Sequence, residues 1–318
     1  MNRRILVTGS TGYIGKHLTS RLVKLPDTDV YGFNRTYDEK LPANQCLEGN
    51  LLDADLQSWL GQVRPDVIFH AIGTSPRSPF DNQLLVNAEG TRRLLQALVD
   101  NGLRPKVVVV GSAAEYGLRD EPVDESAVCM PEGEYGIAKL AQTQIAQSFA
   151  RRYDLPVLVG RVFNVYGESE RHLAVASMAS QIVQAEIIHP LPAELHAYNL
   201  RSSRDFIHID DVVEALLALS EKLSYLETSG QVYNIGSGQT TALSTVLELL
   251  LENSRLGRED LKRVELRLHG IQKEDISWAD IGKIRQHTGW APQVSLTDGM
   301  RREMDYWRAN IAEAIPVG

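Results

Sequence analysis

A doubly wound parallel sheet of the α/β class, with a second and smaller α/β lobe, is the fold predicted by three observations on this sequence. Strand-like apolar runs alternate with helix-like stripes from the N-terminus through Arg161. The first run passes through a glycine-spaced turn directly into a helix. A later helix at 211–221 is followed by one more strand-like run, Val232 to Ile235. Alternation of this kind builds βαβ units, whose strands lie parallel and are covered on both faces.

The first unit is RILVTGSTGYIG at 4–15. Ile5, Leu6 and Val7 read as a buried strand, and Gly9, Gly12 and Gly15 follow at three-residue spacing. Ile14, Leu18, Leu22 and Leu25 then form one apolar stripe before Pro26 ends the helix. Glycines so placed bend the chain tightly, let backbone approach a pyrophosphate and pack helix closely on strand, with helix N–H groups facing the phosphates. The spacing is G-x-x-G-x-x-G, one residue longer than the G-x-G-x-x-G fingerprint. Thr11, Tyr13 and Ile14 join the three glycines as candidates for holding a dinucleotide.

Val30 to Phe33 is the second strand, and Asn34 and Arg35 at its end fall where the adenosine ribose should lie. An acidic residue here would bind the ribose hydroxyl of NAD, whereas Arg accommodates the 2′-phosphate of NADP. With no carboxylate competing at the strand end, NADP(H) is favoured and NAD(H) is the alternative. Gln45 to Glu48 gives a short third strand, followed by Asn50 and Leu51, and a helix through Leu60 leads to a fourth strand, Asp66 to His70. Ala71 and Gly73 lie at its carboxyl end, where open parallel sheets gather ligands. His70 reads as a packed structural residue. The prolines and serines of 74–80 mark a loop, placed with Arg77 to border a substrate. Leu84 to Val99 is helical, carries Asn87, and has more apolar positions than one narrow stripe needs, as an oligomer contact would.

Lys106 to Val110 is the fifth strand and runs into GSAAEYG, which puts the Ser112 hydroxyl at a strand end over the cofactor. Tyr135 and Lys139 open a long helix that ends before Pro156, and their four-residue spacing puts them on one face. An ammonium beside a phenol favours the phenolate, so Lys139 is expected to lower the Tyr135 pKa and make it an acid or base near neutral pH.

Composition narrows the partners. A chain of 318 residues, 43% apolar and 23% charged, has the make-up of a folded enzyme-sized body. Acidic residues outnumber basic ones by 41 to 33, and the net charge of −8 argues against nucleic acid or an anionic membrane as the main partner. Cys46 and Cys129 are too few for a disulfide framework or a cysteine-rich metal site and suit a reducing compartment. No apolar run approaches membrane-spanning length, so the expected location is the cytoplasm.

The blocks VTGSTGYIG at 7–15, GNLLD at 49–53, VNAEGT at 86–91, GSAAEYG at 111–117, YGIAK at 135–139, RVFNVYG at 161–167, RDFIHIDDV at 204–212, VYNIGSG at 232–238 and TGWAP at 288–292 resemble, in this order, the extended short-chain dehydrogenase/reductase family of nucleotide-sugar epimerases, dehydratases and reductases. The resemblance covers nearly the whole chain. It implies a Rossmann-type domain from 1–167 plus about 204–235, and a nucleotide-sugar-binding lobe from about 168–203 plus 236–318. That lobe includes the proline-bearing HPLPAE segment, and the final IPVG is expected to fray. The resemblance further implies that Ser112 hydrogen-bonds the reacting sugar oxygen, that Tyr135 transfers the proton, and that Lys139 holds the nicotinamide ribose and tunes Tyr135. Asn164 and Arg204 fall on the nucleotide-sugar side with Arg77, and a homodimer joined through the helices at 84–99 and 135–153 is implied as well. Arg204 has a plainer alternative, an ion pair with Asp205, Asp210 or Asp211. Asn87 is placed to brace the active-site strand. Asn50 stands where the family usually has an Asp that contacts adenine, and its carbonyl oxygen can still accept.

The residues after Ser112 bear on the reaction. A 4,6-dehydratase of this family carries two carboxylates directly after the serine or threonine, and here those positions are Ala113 and Ala114. Glu115 is one residue too far, and strand alternation would aim it away from Ser112. Two chemistries remain, reduction of a 4-keto nucleotide sugar with dissociable NADP(H) and 4-epimerisation with retained NAD. Arg35 points to the first, as does a likeness of several blocks to the GDP-4-dehydro-6-deoxy-mannose reductase branch. A catalytically idle NADP-sensing protein is disfavoured by the presence of Ser112, Tyr135 and Lys139.

Overall fold

The computed structural model describes residues 2–168, 171–187, 193–222, 229–271 and 274–310; the prolines of HPLPAE and the final IPVG lie outside them. The order is β1 (Arg3–Thr8), α1 (Tyr13–Leu22), β2 (Thr28–Asn34), β3 (Cys46–Glu48), α2 (Leu56–Val63), β4 (Val67–His70), α3 (Phe80–Gln83), α4 (Gly90–Asp100), β5 (Lys106–Ser112), α5 (Glu134–Tyr153) and β6 (Val157–Val162). Then come β7 (Asn164–Tyr166), α6 (Ala174–Ile187), β8 (Ala193–Tyr198), β9 (Ser203–Arg204), β10 (Phe206–His208), α7 (Ile209–Lys222) and β11 (Val232–Ile235). Seven strands form one parallel sheet in the order β11-β6-β5-β4-β1-β2-β3. The chain winds outward from β1 in one direction through β2 and β3 and in the other through β4, β5, β6 and β11. The carboxyl ends of β1 and β4 therefore border the crevice where doubly wound sheets bind ligands.

Side-chain alternation explains the two faces. Ile5 and Val7 of β1 join Leu18, Leu22, Val108, Leu216 and Tyr233 in the core under α1 and α7. Leu6 points the other way, into a second core with Ile68, Leu94, Leu98, Val109 and Ala146 under α2, α4 and α5. A third core gathers Tyr166, Ile182, Leu195, Phe206, Leu250 and Met304 from α6, β7, β8, β10 and the helices Leu243–Glu252 and Leu296–Ala309. Apart from the main sheet, β7 pairs with β10, β8 pairs with Val264–His269, and β9 lies between Thr241–Ala242 and Ile276–Ser277.

The elements differ from expectation in three places that matter to the site. β2 and β5 run on to include Asn34 and Ser112, which makes both the last residues of their strands. Residues Ala43–Gln45 form a 3₁₀ turn, so β3 begins at Cys46. The helix expected over 84–99 starts at Phe80 and passes through a π turn, Leu84–Glu89, before α4. Asn87 sits in that turn, where its side chain donates to the Gln83 carbonyl at 2.8 Å and its carbonyl accepts from Thr91 Oγ1 at 2.6 Å. π turns of this length are concentrated at functional sites.

Candidate active site

The glycine turn after β1 divides its work among three residues. Gly9 has φ +78°, and a Cβ there would press on the Ala71 carbonyl oxygen at 3.1 Å, so turn and β4 loop meet backbone to backbone. A Cβ at Gly15 would collide with the Gly9 carbonyl oxygen, which is how closely α1 packs on the turn. Gly12 caps α1 with no side-chain hydrogen bond, and the first turn holds no acidic residue. The positive end of the helix is left to an anion, and the pyrophosphate of a dinucleotide suits it.

At the end of β2 the two candidates take different parts. Asn34 is buried, accepts from Thr11 N at 3.1 Å and donates to Ser10 Oγ at 2.6 Å, so it shapes the turn. Arg35 is exposed and makes no hydrogen bond or ion pair with another described residue. No carboxylate stands at the strand end itself, but Asp38, four residues beyond Asn34 and 5% exposed, accepts from Ser10 Oγ at 2.5 Å. The chain after β2 folds back over the glycine turn, a contact that adjacency along the sequence cannot reveal. Asn50 is exposed and accepts from Leu52 N at 3.1 Å, with Leu51 buried beside it. Ala71 N donates to the Thr8 carbonyl at 3.0 Å, and Gly73 is exposed beyond it. Asn87 Nδ2 donates to Thr74 Oγ1 at 3.0 Å, so it braces the loop after β4 rather than the β5 strand.

Ser112 caps a 3₁₀ turn, Ala113–Glu115; its Oγ accepts from Ala114 N at 3.2 Å, and the Glu115 carboxylate accepts from Ser112 N at 2.9 Å. Glu115 is fully buried and pairs with Arg161 at 2.7 Å, while the guanidinium lies over the Tyr116 ring at 4.4 Å. The expectation that strand alternation aims Glu115 away from Ser112 is corrected: the capping turn brings one carboxylate oxygen back to Ser112 N, while the other is held by Arg161. Burial alone would lower the Arg161 pKa, but Glu115 and Tyr116 outweigh it and hold the charge. Gly136 sets the approach of α5, since a Cβ there would collide with the Ala114 carbonyl, and this brings Tyr135 beside Ser112.

The electrostatics of Tyr135 correct the sequence expectation. Burial pushes the phenol above its ordinary pKa, the Ser112 hydroxyl pulls it partly back and Glu115 adds to the rise. Lys139 does not lower it, because the ammonium turns inward, donating to the Val110 carbonyl at 2.7 Å and to Gln142 Oε1. Burial brings Lys139 down to about 8, with Glu115 opposing.

Of the residues expected on the nucleotide-sugar side, Arg77 is exposed, and Asn164 Nδ2 donates to the Asp205 carbonyl at 3.1 Å. Arg204 is in an ion pair, but with Asp275, through contacts of 3.0 and 2.9 Å. The three carboxylates expected nearby are engaged elsewhere: Asp205 accepts from Ser237 N, Asp210 from Arg302, and Asp211 from Gln293 N. The sequence reading missed two features. Tyr13 donates to the Gly167 carbonyl at 2.7 Å, and buried Glu303, which burial pushes up to about 7, accepts from Glu168 N at 2.9 Å, so one short segment ties the cofactor turn to the third core. A buried row, Thr8, His70, Thr91 and Gln142, leads to Lys139; the three-residue step from Lys139 to Gln142 is the only sequence signal for it.

Comparison with known proteins places this geometry. The model of the NAD dependent epimerase/dehydratase family matches residues 5–236. The chain belongs to that family. Its members are extended short-chain dehydrogenase/reductase enzymes, and the matched residues include the blocks at 7–15, 111–117 and 135–139. The chain is 29% identical to the GDP-6-deoxy-D-mannose reductase of Pseudomonas aeruginosa over 98% of its own length and 100% of the relative's. It is 28% identical to an uncharacterized UDP-glucose epimerase of Bacillus subtilis, over 95% of this chain and 97% of that one. Among solved structures, RMD from Pseudomonas aeruginosa complexed with NADPH has a TM-score of 0.80 at 26% identity, covering 97% of this chain and all of that one. The UDP-glucuronic acid 4-epimerase of Bacillus cereus, with UDP-glucuronic acid and NAD, has a TM-score of 0.84 at 23% identity, covering 96% and 99%, and shares the fold. Among the described residues no helix is long and apolar enough to cross a membrane.

Proposed function

We propose that this enzyme reduces the 4-keto group of a nucleotide-linked 6-deoxy-hexose with NADPH, GDP being the favoured nucleotide. Arg35, exposed at the end of β2 without a protein partner among the described residues, is the observation that carries the choice, since it suits a 2′-phosphate. The residues fit the cofactor: the uncapped α1 N-terminus for the pyrophosphate, Leu51 and Asn50 toward the adenine, and Lys139 toward the nicotinamide ribose. When bound there, the nicotinamide supplies the hydride. Tyr135 gives a proton to the carbonyl oxygen, and its raised pKa keeps that proton on the phenol at neutral pH until the oxygen gains charge. Ser112 hydrogen-bonds the same oxygen and stabilises the charge developing on it. Asn164 and Arg77 are assigned to the nucleotide sugar; Arg204 joins them only by sharing or leaving Asp275. In this reading the lobe formed by about 168–203 and 236–318 holds the nucleotide sugar, the protein works in the cytoplasm, and it pairs as a homodimer.

A second reading, NAD-dependent 4-epimerisation of a UDP-sugar, is favoured by Asp38, whose carboxylate beside Ser10 is unfavourable for a 2′-phosphate. Assay of the purified protein separates the two. Under the first, absorbance at the reduced nicotinamide band falls by one NADPH per 4-keto sugar, and Arg35→Asp weakens NADPH far more than NADH. Interconversion of UDP-glucose and UDP-galactose without net cofactor change, with NADPH untouched by every 4-keto sugar, replaces the first reading with the second.

A further inference from the structure

We propose that Gln142 is a positioning residue for Lys139, holding its ammonium from the buried side of α5, and that Thr91 and His70 lock the Gln142 amide with its oxygen toward the lysine. The inference rests on the proposed role of Lys139 at the cofactor.

An ammonium has three donors and no acceptor. Lys139 gives one to the Val110 carbonyl at 2.7 Å and another to Gln142 Oε1, which leaves the third for a group in the cleft. Lys139, Gln142, Thr91 and His70 are all buried, so water does not replace a lost partner cheaply. The two ends of an amide have the same shape, and only their hydrogen bonds decide which faces Lys139. Thr91 decides it. Its single hydroxyl proton goes to the Asn87 carbonyl at 2.6 Å, so Thr91 Oγ1 can only accept from its other neighbours. It receives Gln142 Nε2 at 2.9 Å and His70 Nε2 at 2.9 Å. The Gln142 oxygen must then face Lys139. The same count sets the histidine tautomer: Nε2 carries the proton and Nδ1 accepts from Thr8 Oγ1 at 2.7 Å. Burial, with Lys139 adding to it, brings His70 down to about 3, so the ring stays neutral and the row does not reverse at working pH.

A neutral acceptor at 142 has a consequence that neither a carboxylate nor an alkyl chain would share. The charged and titratable groups around Lys139 are Glu115 from the turn after β5, itself paired with Arg161 of β6, His70 of β4, and Tyr135 on its own helix. None of the four is a free anion in contact with the ammonium. Gln142 therefore orients the charge without pairing it and leaves Lys139 near the ionisation range of the working pH. A carboxylate would fix the charge in place, and an apolar side chain would leave a buried ammonium with one acceptor fewer.

The test follows the Lys139 ammonium by its ¹³Cε resonance in unliganded protein, and NADPH binding by fluorescence between pH 6 and 10, in wild type, Gln142→Glu and Gln142→Leu. The expected result is a Lys139 midpoint that moves up in Gln142→Glu and down in Gln142→Leu. The alkaline loss of NADPH binding moves with it, and the Leu variant binds NADPH roughly tenfold more weakly at pH 8, as loss of a hydrogen bond to a charged group would cause. A midpoint and binding profile unchanged in Gln142→Glu, with only the melting temperature lowered, overturns the proposal and makes Gln142 a packing residue. Gln142→Glu keeps the size of the side chain, so it decides the question even if the Leu variant does not fold. Wild-type protein that binds neither NADPH nor NAD⁺ defeats the proposed function, while the Lys139 midpoints in unliganded protein still decide the part played by Gln142.

Discussion

Tyr135 and Lys139 stand four residues apart on α5, yet burial acts on them in opposite directions. The phenol is held above its ordinary pKa and stays protonated through neutral pH, whereas the ammonium is brought down to about 8. A protonated phenol beside a charged lysine is the state required to donate a proton to a ketone. Tyr135→Phe keeps the ring and loses the donor, so turnover should drop by roughly 10²–10⁴-fold while NADPH binding survives. Near-normal turnover in that variant would remove Tyr135 from the chemistry. The sign of the pH dependence follows from Lys139: its charged form dominates below about 8 and is lost above it. The rate constant for wild-type reduction should therefore be flat toward neutral pH and decline on the alkaline side, and a rate that climbs steadily through pH 9 would contradict the assignment.

Whole elements are placed by a few close approaches between backbones. The glycine turn and α1 touch at Gly9 and Gly15, and α5 touches the turn after β5 at Gly136. Gly15→Ala forces α1 away from the turn, because its new methyl group would occupy the space of the Gly9 carbonyl oxygen. The expected outcome is a loss of about 1–3 kcal/mol in urea unfolding and a fall in NADPH affinity larger than the stability loss alone would cause. A Gly15→Ala variant that binds NADPH as wild type does would mean that the helix end is not the pyrophosphate site. The glycine roles were legible because each has a fixed place relative to strand and helix. The π turn at 84–89 was not, since apolar spacing reads α-helix and π turn alike, and what makes the turn is the bonding of Asn87 with Gln83 and Thr91.

At the scale of the molecule, two cores cover the faces of the parallel sheet and a third joins α6 to the late helices. Leu85 in the π turn and Ile137 on α5 remain 48% and 44% exposed on the packed helices that were expected to carry a dimer contact. Light scattering at micromolar concentration should report a homodimer, and Ile137→Glu should convert it toward monomer with little change in melting temperature. A wild-type monomer under those conditions would refute the contact.

By itself the sequence determined the doubly wound sheet, the glycine turn between β1 and α1, and the places of Ser112 at a strand end and of Tyr135 and Lys139 at the start of one helix. Each of these rests on local periodicity or on a side chain's place at the end of an element, and such information lies within a few residues of the group concerned. Tertiary structure alone decided which way the pKa of Tyr135 moves, because burial depends on the surrounding packing, and here it outweighs the Ser112 hydrogen bond while the Lys139 ammonium is turned inward. It also decided that Arg204 pairs with Asp275, that Asp38 returns to Ser10, and that Gln142 meets Thr91 and through it His70. The physical reason is common to all of them. Hydrogen bonds and ion pairs depend on distances of about 3 Å, and in these cases that closeness joins residues from different elements that sequence spacing does not bring together.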